Sequence, residues 1–257
     1  MASRKVLKNK PLIEAIFELR WKHKAWRPPE RFDPYYNLLI GRFYEKISGD
    51  YPFYEGLDTA NMPAEIAGHI VQHRFRKGKG DWPAVQIGPG VLTLNDTKNY
   101  EWTDFERRAN RLVSTLYEVY PEPETLNVEE SILRYIDAIL LNYDEVDVFA
   151  FMEDKMKTGI KLCKDLFNDN GVKNVPLGLD LKFVFPSSNP RGVANIRFYR
   201  GKKNEEDALI WDTVVHSIKE DAPNNPKEIK DWLIKAHGLT HDWFFKIIEG
   251  DLERRFE

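Results

Sequence analysis

An α+β fold is what this sequence predicts, and three patterns predict it. Apolar Ile13, Ala15, Phe17, Leu19 and Trp21 alternate with Glu14, Glu18 and Arg20, the period of a strand with one wet face. Tyr36, Leu39, Ile40, Phe43 and Ile47 then recur at helical spacing. In the second half, a group of strand signals lies between helical stretches, so helices and sheet are both present in each half.

In chain order, the strand at Ile13–Trp21 is followed by Asp33-Pro34, an N-cap and a first-turn proline, opening a helix that runs to about Ser48-Gly49. Tyr51–Gly68, with Pro52, Gly56 and Pro63, reads as an irregular connection. Strands are predicted near Ile70–Arg76 and Ala84–Asn95, the second kinked at Gly88-Pro89-Gly90. Thr103-Asp104-Phe105-Glu106 is a capping box that opens a helix striped by Phe105, Ala109, Leu112, Val113, Leu116 and Tyr120, and Pro121 stops it. Ile132–Leu141 is apolar on both faces, as a central strand should be. This βαββαβ order is ferredoxin-like and makes residues 1–143 one unit.

Residues 144–257 form the second unit, expected to pack tightly on the first. A helical stretch, Val146–Phe167, breaks near Thr158-Gly159, and strands follow at Leu179–Phe185, Ala194–Arg200 and Leu209–Ile218 as an antiparallel sheet. Two C-terminal helices close the chain. Asn225 caps one carrying Ile229, Trp232, Leu233 and Ala236, which Gly238 ends; Thr240 caps the other, carrying Phe244, Ile247, Ile248 and Leu252. One continuous sheet and two separate sheets both fit this pattern.

Composition bounds the function. The 257 residues are 42% hydrophobic and 31% charged, with a formal net charge of −3, as in an ordinary globular protein. Charge is unevenly placed: residues 1–31 hold nine Lys/Arg against three acids, and residues 122–154 hold ten acids against Arg134 alone. The single Cys163, read as a helical filler, excludes a disulfide framework and Cys-rich zinc modules. No apolar run approaches the ~18–20 residues of a membrane span, so no membrane association is expected. Met1-Ala2-Ser3-Arg4-Lys5 leads into no secretory apolar segment, so a cytoplasmic location is expected.

Three groups of residues could carry chemistry. His237, His241 and Asp242 have metal-ligand character, but a helix broken at Gly238 and Thr240 would separate the two histidines, so no metal is expected. Asp212 and His216 alternate onto one strand face, yet about 13 Å separates residues four apart on a strand, so a hydrolase using Asp212, His216 and His241 is the weakest alternative. The hairpin 73–82 offers Arg74, Arg76, Lys77 and Lys79 to phosphates and Trp82 or Phe75 to bases, an alternative reading as a nucleic-acid-binding accessory. No dinucleotide or phosphate loop is present, and no cofactor is expected. Seven tryptophans and eleven tyrosines exceed the needs of two modest sheets, so some of Trp21, Trp26, Tyr35, Trp82, Tyr100 and Trp102 could serve a protein partner or a second copy of the chain.

Four segments together carry a family resemblance: Lys10–Arg20; Val85–Asn95 with Tyr100-Glu101-Trp102 and Phe105; Leu133-Arg134-Tyr135-Ile136-Asp137; and His241-Asp242-Trp243-Phe244. The chain resembles a sporadically distributed prokaryotic protein family of about this length with no assigned activity. The resemblance implies one architecture over nearly the whole chain and, through the family's patchy distribution, an accessory or defence-type role; it supplies no catalytic residue. The expected function is therefore a non-catalytic cytoplasmic binding or assembly subunit.

Overall fold

The computed structural model describes residues 7–22, 24–27, 30–33, 35–63, 67–97, 99–168 and 170–257, with the side chains of 24–27 and 30–32 left outside that set. The expectations for Met1–Lys5 and for the Trp26 side chain lie outside the described residues. Strands β1 (Leu12–Trp21), β4 (Phe53–Gly56), β5 (His73–Arg76), β6 (Ala84–Gly88), β7 (Val91–Asp96), β8 (Val128–Leu140), β9 (Asp180–Ser188), β10 (Arg191–Lys203) and β11 (Glu206–Ile218) form a single nine-stranded sheet. Its order is β4-β5-β6-β7-β1-β8-β11-β10-β9, and its pairings are antiparallel. A separate two-stranded ribbon joins β2 (Lys24–Arg27) to β3 (Glu30–Phe32). The helices are α1 (Tyr36–Ile47), α2 (Trp102–Val119), α3 (Val148–Met156), α4 (Pro226–Ile248) and α5 (Asp251–Phe256).

The α+β class and the central place of β8 agree with the sequence, and the β8–β11 ladder joins the two halves into one sheet. The ferredoxin-like arrangement does not form. Residues 84–95 are a hairpin, with Gly88 facing Val91 across Pro89 and Gly90, whose φ of +70° suits glycine. That extra reversal, together with β4, puts a four-stranded meander β4-β5-β6-β7 between α1 and α2, where the βαββαβ order has two strands. β4 also forms inside the stretch expected to be irregular and extends the meander to the sheet edge.

Helix boundaries shift for tertiary reasons. α2 begins at Trp102, ahead of the expected cap at Thr103, because the Trp102 ring is buried. α3 is capped by Asp147, whose Oδ1 accepts from the backbone N–H groups of Phe149 and Ala150 at 2.9 and 3.2 Å, and it ends at left-handed Lys157. Cys163 is exposed beyond this helix and fills no core. The two expected C-terminal helices are replaced by one 23-residue helix, α4, followed by the short α5. A side chain at Gly238 would meet nothing within 4 Å beyond its own helix, and the Thr240 hydroxyl donates back to the carbonyls of Ala236 and His237, both at 3.1 Å. A mid-helix glycine costs roughly 1 kcal/mol. Burial of apolar residues on both sides of it outweighs that cost.

Two apolar clusters lie under the helices on one face of the sheet. The first joins Phe17, Leu19, Leu94, Leu133 and Val215 to α1, α2 and the N-terminal part of α4 through Ile229, Trp232 and Ala236. The second joins Ile139, Phe198, Leu209 and Trp211 to α3, α5 and the C-terminal end of α4 at Ile248. The opposite face of the sheet carries Glu18, Arg20, Glu130, Arg134, Asp212 and His216. There the basic N-terminal block meets the acidic one: Arg20 lies 3.6 Å from Glu130 and Lys22 lies 4.0 Å from Glu129. Among the described residues, no helix is long and apolar enough to cross a membrane.

Candidate ligand-binding site

Between the two clusters the helix-covered face turns polar. On β8, Leu133 belongs to the first cluster and Ile139 to the second, and Tyr135 and Asp137 alternate between them. On β11, Thr213 pairs with Tyr135 and sits between Val215 and Trp211. Above them, α4 interrupts its apolar stripe with His237, Thr240 and His241 before resuming at Phe244 and Phe245. The polar break in the helix lies over the polar break in the sheet.

A pocket of about 210 Å³ opens there. That is smaller than the ~300 Å³ lower end of drug-sized sites, so it suits a compact molecule. Leu7, Pro11, Leu12, Trp102, Phe244 and Phe245 supply apolar wall, and Tyr100, Tyr135, Asp137, Thr213, His237 and His241 supply polar atoms. Lining residues come from distant parts of the chain: Lys10, Pro11 and Leu12 leading into β1, Tyr100, Glu101 and Trp102 leading into α2, Tyr135 and Asp137 on β8, and His241 and Phe244 on α4.

The wall is held rigidly. The His237 ring lies flat on Trp102, with centroids 3.6 Å apart and 7° between planes. His237 Nδ1 is 3.0 Å from the Tyr135 hydroxyl, which is 2.7 Å from the Tyr100 hydroxyl. Lys10 Nζ donates to the Tyr100 carbonyl and to Glu101 Oε1, both at 2.7 Å, which compensates its charge at the rim. Hydrogen bonds and stacking of this kind hold a binding constellation in place.

Asp137 differs from the other buried carboxyl groups, Asp33, Asp96 and Asp212, each of which accepts at least one hydrogen bond. Its exposure is 3%, and no side-chain hydrogen bond to it forms among the described residues. Asp33 is equally buried, but its carboxylate accepts from Trp21 Nε1 at 2.9 Å, the Tyr35 backbone N–H at 2.9 Å and the Tyr120 hydroxyl at 3.0 Å. Burial pushes the Asp137 carboxyl up to about 8; Lys203 opposes the rise and Asp212 adds to it. At neutral pH Asp137 is therefore largely a neutral acid.

The sequence-derived sites are distributed differently. His237 and His241 do share one face of a continuous helix, with ring centroids 5.5 Å apart, but Asp242 turns away to Lys246 at 2.7 Å. Among the described residues, no group of three His, Cys, Asp or Glu side chains is arranged to hold a metal. Asp212 and His216 face the other side of the sheet from His241. Asp212 pairs with Arg134, and His216 Nε2 lies 3.2 Å from Glu130, so the three are not brought together. At the 73–82 hairpin, Arg74 donates to Gln86 at 3.0 Å, and buried Arg76 donates to Glu55 at 3.2 Å and to the Asp81 carbonyl. Arg76 also lies 4.5 Å from the Trp82 ring, and Phe75 is in the core, which leaves Lys77, Lys79 and the edge of Trp82 outward. Of the aromatics considered for an interface, Trp21, Tyr100 and Trp102 are buried and Trp82 is 42% exposed.

These features place a polar pocket within the apolar layer between the large antiparallel sheet and the helices that cover it. No family model matches the sequence, and no curated protein matches it. Among solved structures, the di-domain ARO/CYC BexL from the BE-7585A biosynthetic pathway aligns at 12% identity over 92% of this chain and 99% of its own, with a TM-score of 0.22. The di-domain ARO/CYC StfQ from the steffimycin biosynthetic pathway aligns at 8% identity over 71% of this chain and 74% of its own, with a TM-score of 0.18. Similarity at that level transfers neither fold nor function to this chain.

Proposed function

We propose that this chain is a cytoplasmic small-molecule-binding protein whose ligand enters the pocket between α4 and strands β8 and β11. The observation that carries this reading is Asp137, a buried carboxyl with no hydrogen bond from the described residues, facing an apolar and aromatic cavity. Buried polar groups in folded proteins are mostly paired, and an unpaired carboxyl that faces a cavity offers a bound molecule a hydrogen-bonding site. This reading replaces the protein-partner or assembly role expected from the sequence with a small-molecule ligand in the pocket.

A fragment screen tests this. Compact aromatic fragments, followed by NMR of the protein, are expected to shift the His237 and His241 ring resonances together while leaving His69 and His73 unmoved. Binders that act only on His69 and His73, or no binder at all, contradict the proposal.

A further inference from the structure

We infer that the ligand is a compact organic cation, an ammonium group on a small apolar or aryl body, with the ammonium held by Asp137. The inference rests on the pocket reading above and names its ligand class. The floor of the cavity offers one carboxyl group whose oxygens find no donor among the described residues. The walls offer the rings of Tyr100, Trp102, Tyr135, Phe244 and Phe245. A carboxylate in a cavity lined by aromatic rings attracts a cation through a charge-assisted hydrogen bond, and a ring face that meets the cation adds its quadrupole. An anion would meet the same carboxyl without gain, because the Lys10 charge at the rim is already taken up by Glu101.

The charged and titratable groups around Asp137 are compatible with this. Lys203 approaches from β10, with Nζ 3.4 Å from the Ala138 carbonyl, and Asp212 acts through the sheet from β11. His237 and His241 face the cavity from α4, Tyr135 from β8, and Lys10 with Glu101 from the rim. An entering ammonium converts the neutral Asp137 acid to its carboxylate, and the displaced proton passes to solvent. The salt-bridged product then holds the ligand with no net change in pocket charge.

Three probes of nearly equal size separate the outcomes: benzylamine, benzyl alcohol and benzoate, titrated calorimetrically into the intact protein. Benzylamine is expected to bind about 10- to 100-fold more tightly than benzyl alcohol, the range of a hydrogen bond to a charged group. Its binding at pH 7 should release about one proton, read from the dependence of heat on buffer ionisation enthalpy, and its affinity should rise about tenfold from pH 6 to pH 7. The near-isosteric Asp137→Asn should lose both the preference and the proton release. If benzyl alcohol or benzoate binds as tightly as benzylamine, or no proton is released, the cation inference falls and the pocket reading stands. If none of the three binds, the pocket reading falls with it.

Discussion

Replacing Asp137 by Asn is expected to flatten the dependence of stability on pH and to raise stability most in alkaline solution. The folded-state carboxyl titrates at about 8, well above the ordinary 3.8 that applies in the unfolded chain. The folded protein therefore binds the proton more tightly. Its advantage is fully present below about pH 4, and it is lost progressively as pH rises to about 8. The slope in that window is about 1.4 kcal/mol per pH unit at its steepest, so several kcal/mol separate the ends. Urea unfolding at pH 5 and pH 8 checks this. The wild type should lose stability between the two relative to Asp137→Asn, and identical pH profiles for the two proteins would refute the placement of Asp137.

Trp232→Ala should be the most damaging truncation on α4, costing about 3–5 kcal/mol. The ring is buried, lies 6.5 Å from Phe17 between centroids, and donates Nε1–H to Ser217 Oγ on β11 at 2.8 Å. It thus fastens the N-terminal half of α4 to the sheet, five residues before His237 enters the pocket. Trp232→Phe keeps most of the apolar contact and gives up the hydrogen bond, so about 1 kcal/mol is the expected loss. Equilibrium urea midpoints distinguish the pair. A loss below about 1 kcal/mol for the alanine variant would mean that α4 is anchored elsewhere.

What the sequence made legible follows from the range of each signal. The alternation in β1 and the double-sided apolar run in β8 report burial directly, so those strands and the α+β class were readable. Gly88-Pro89-Gly90 reads equally as a kink and as a turn, and only the pairing of Val85 with Leu94 decides between them. Gly238 and Thr240 carry the local marks of a helix end and a new cap. They are overridden by apolar burial on both sides, at Trp232 and Ile248, which no local window contains. The same misreading separated His237 from His241 and hid their shared face. Asp137 did leave a signal: it is the one carboxylate inside the apolar run Ile132–Leu141. Its meaning depended on the absence of a nearby donor, which is a property of the packed layer and not of the strand.

The most direct measurement is an NMR titration of the Asp137 side-chain carboxyl carbon, with and without saturating benzylamine. The expected midpoint in the free protein is about 8, and the amine should lower it by at least a full pH unit while it occupies the pocket. A free-protein midpoint near the ordinary 3.8 would show a solvated or paired carboxylate and contradict the buried, ligand-seeking acid described above.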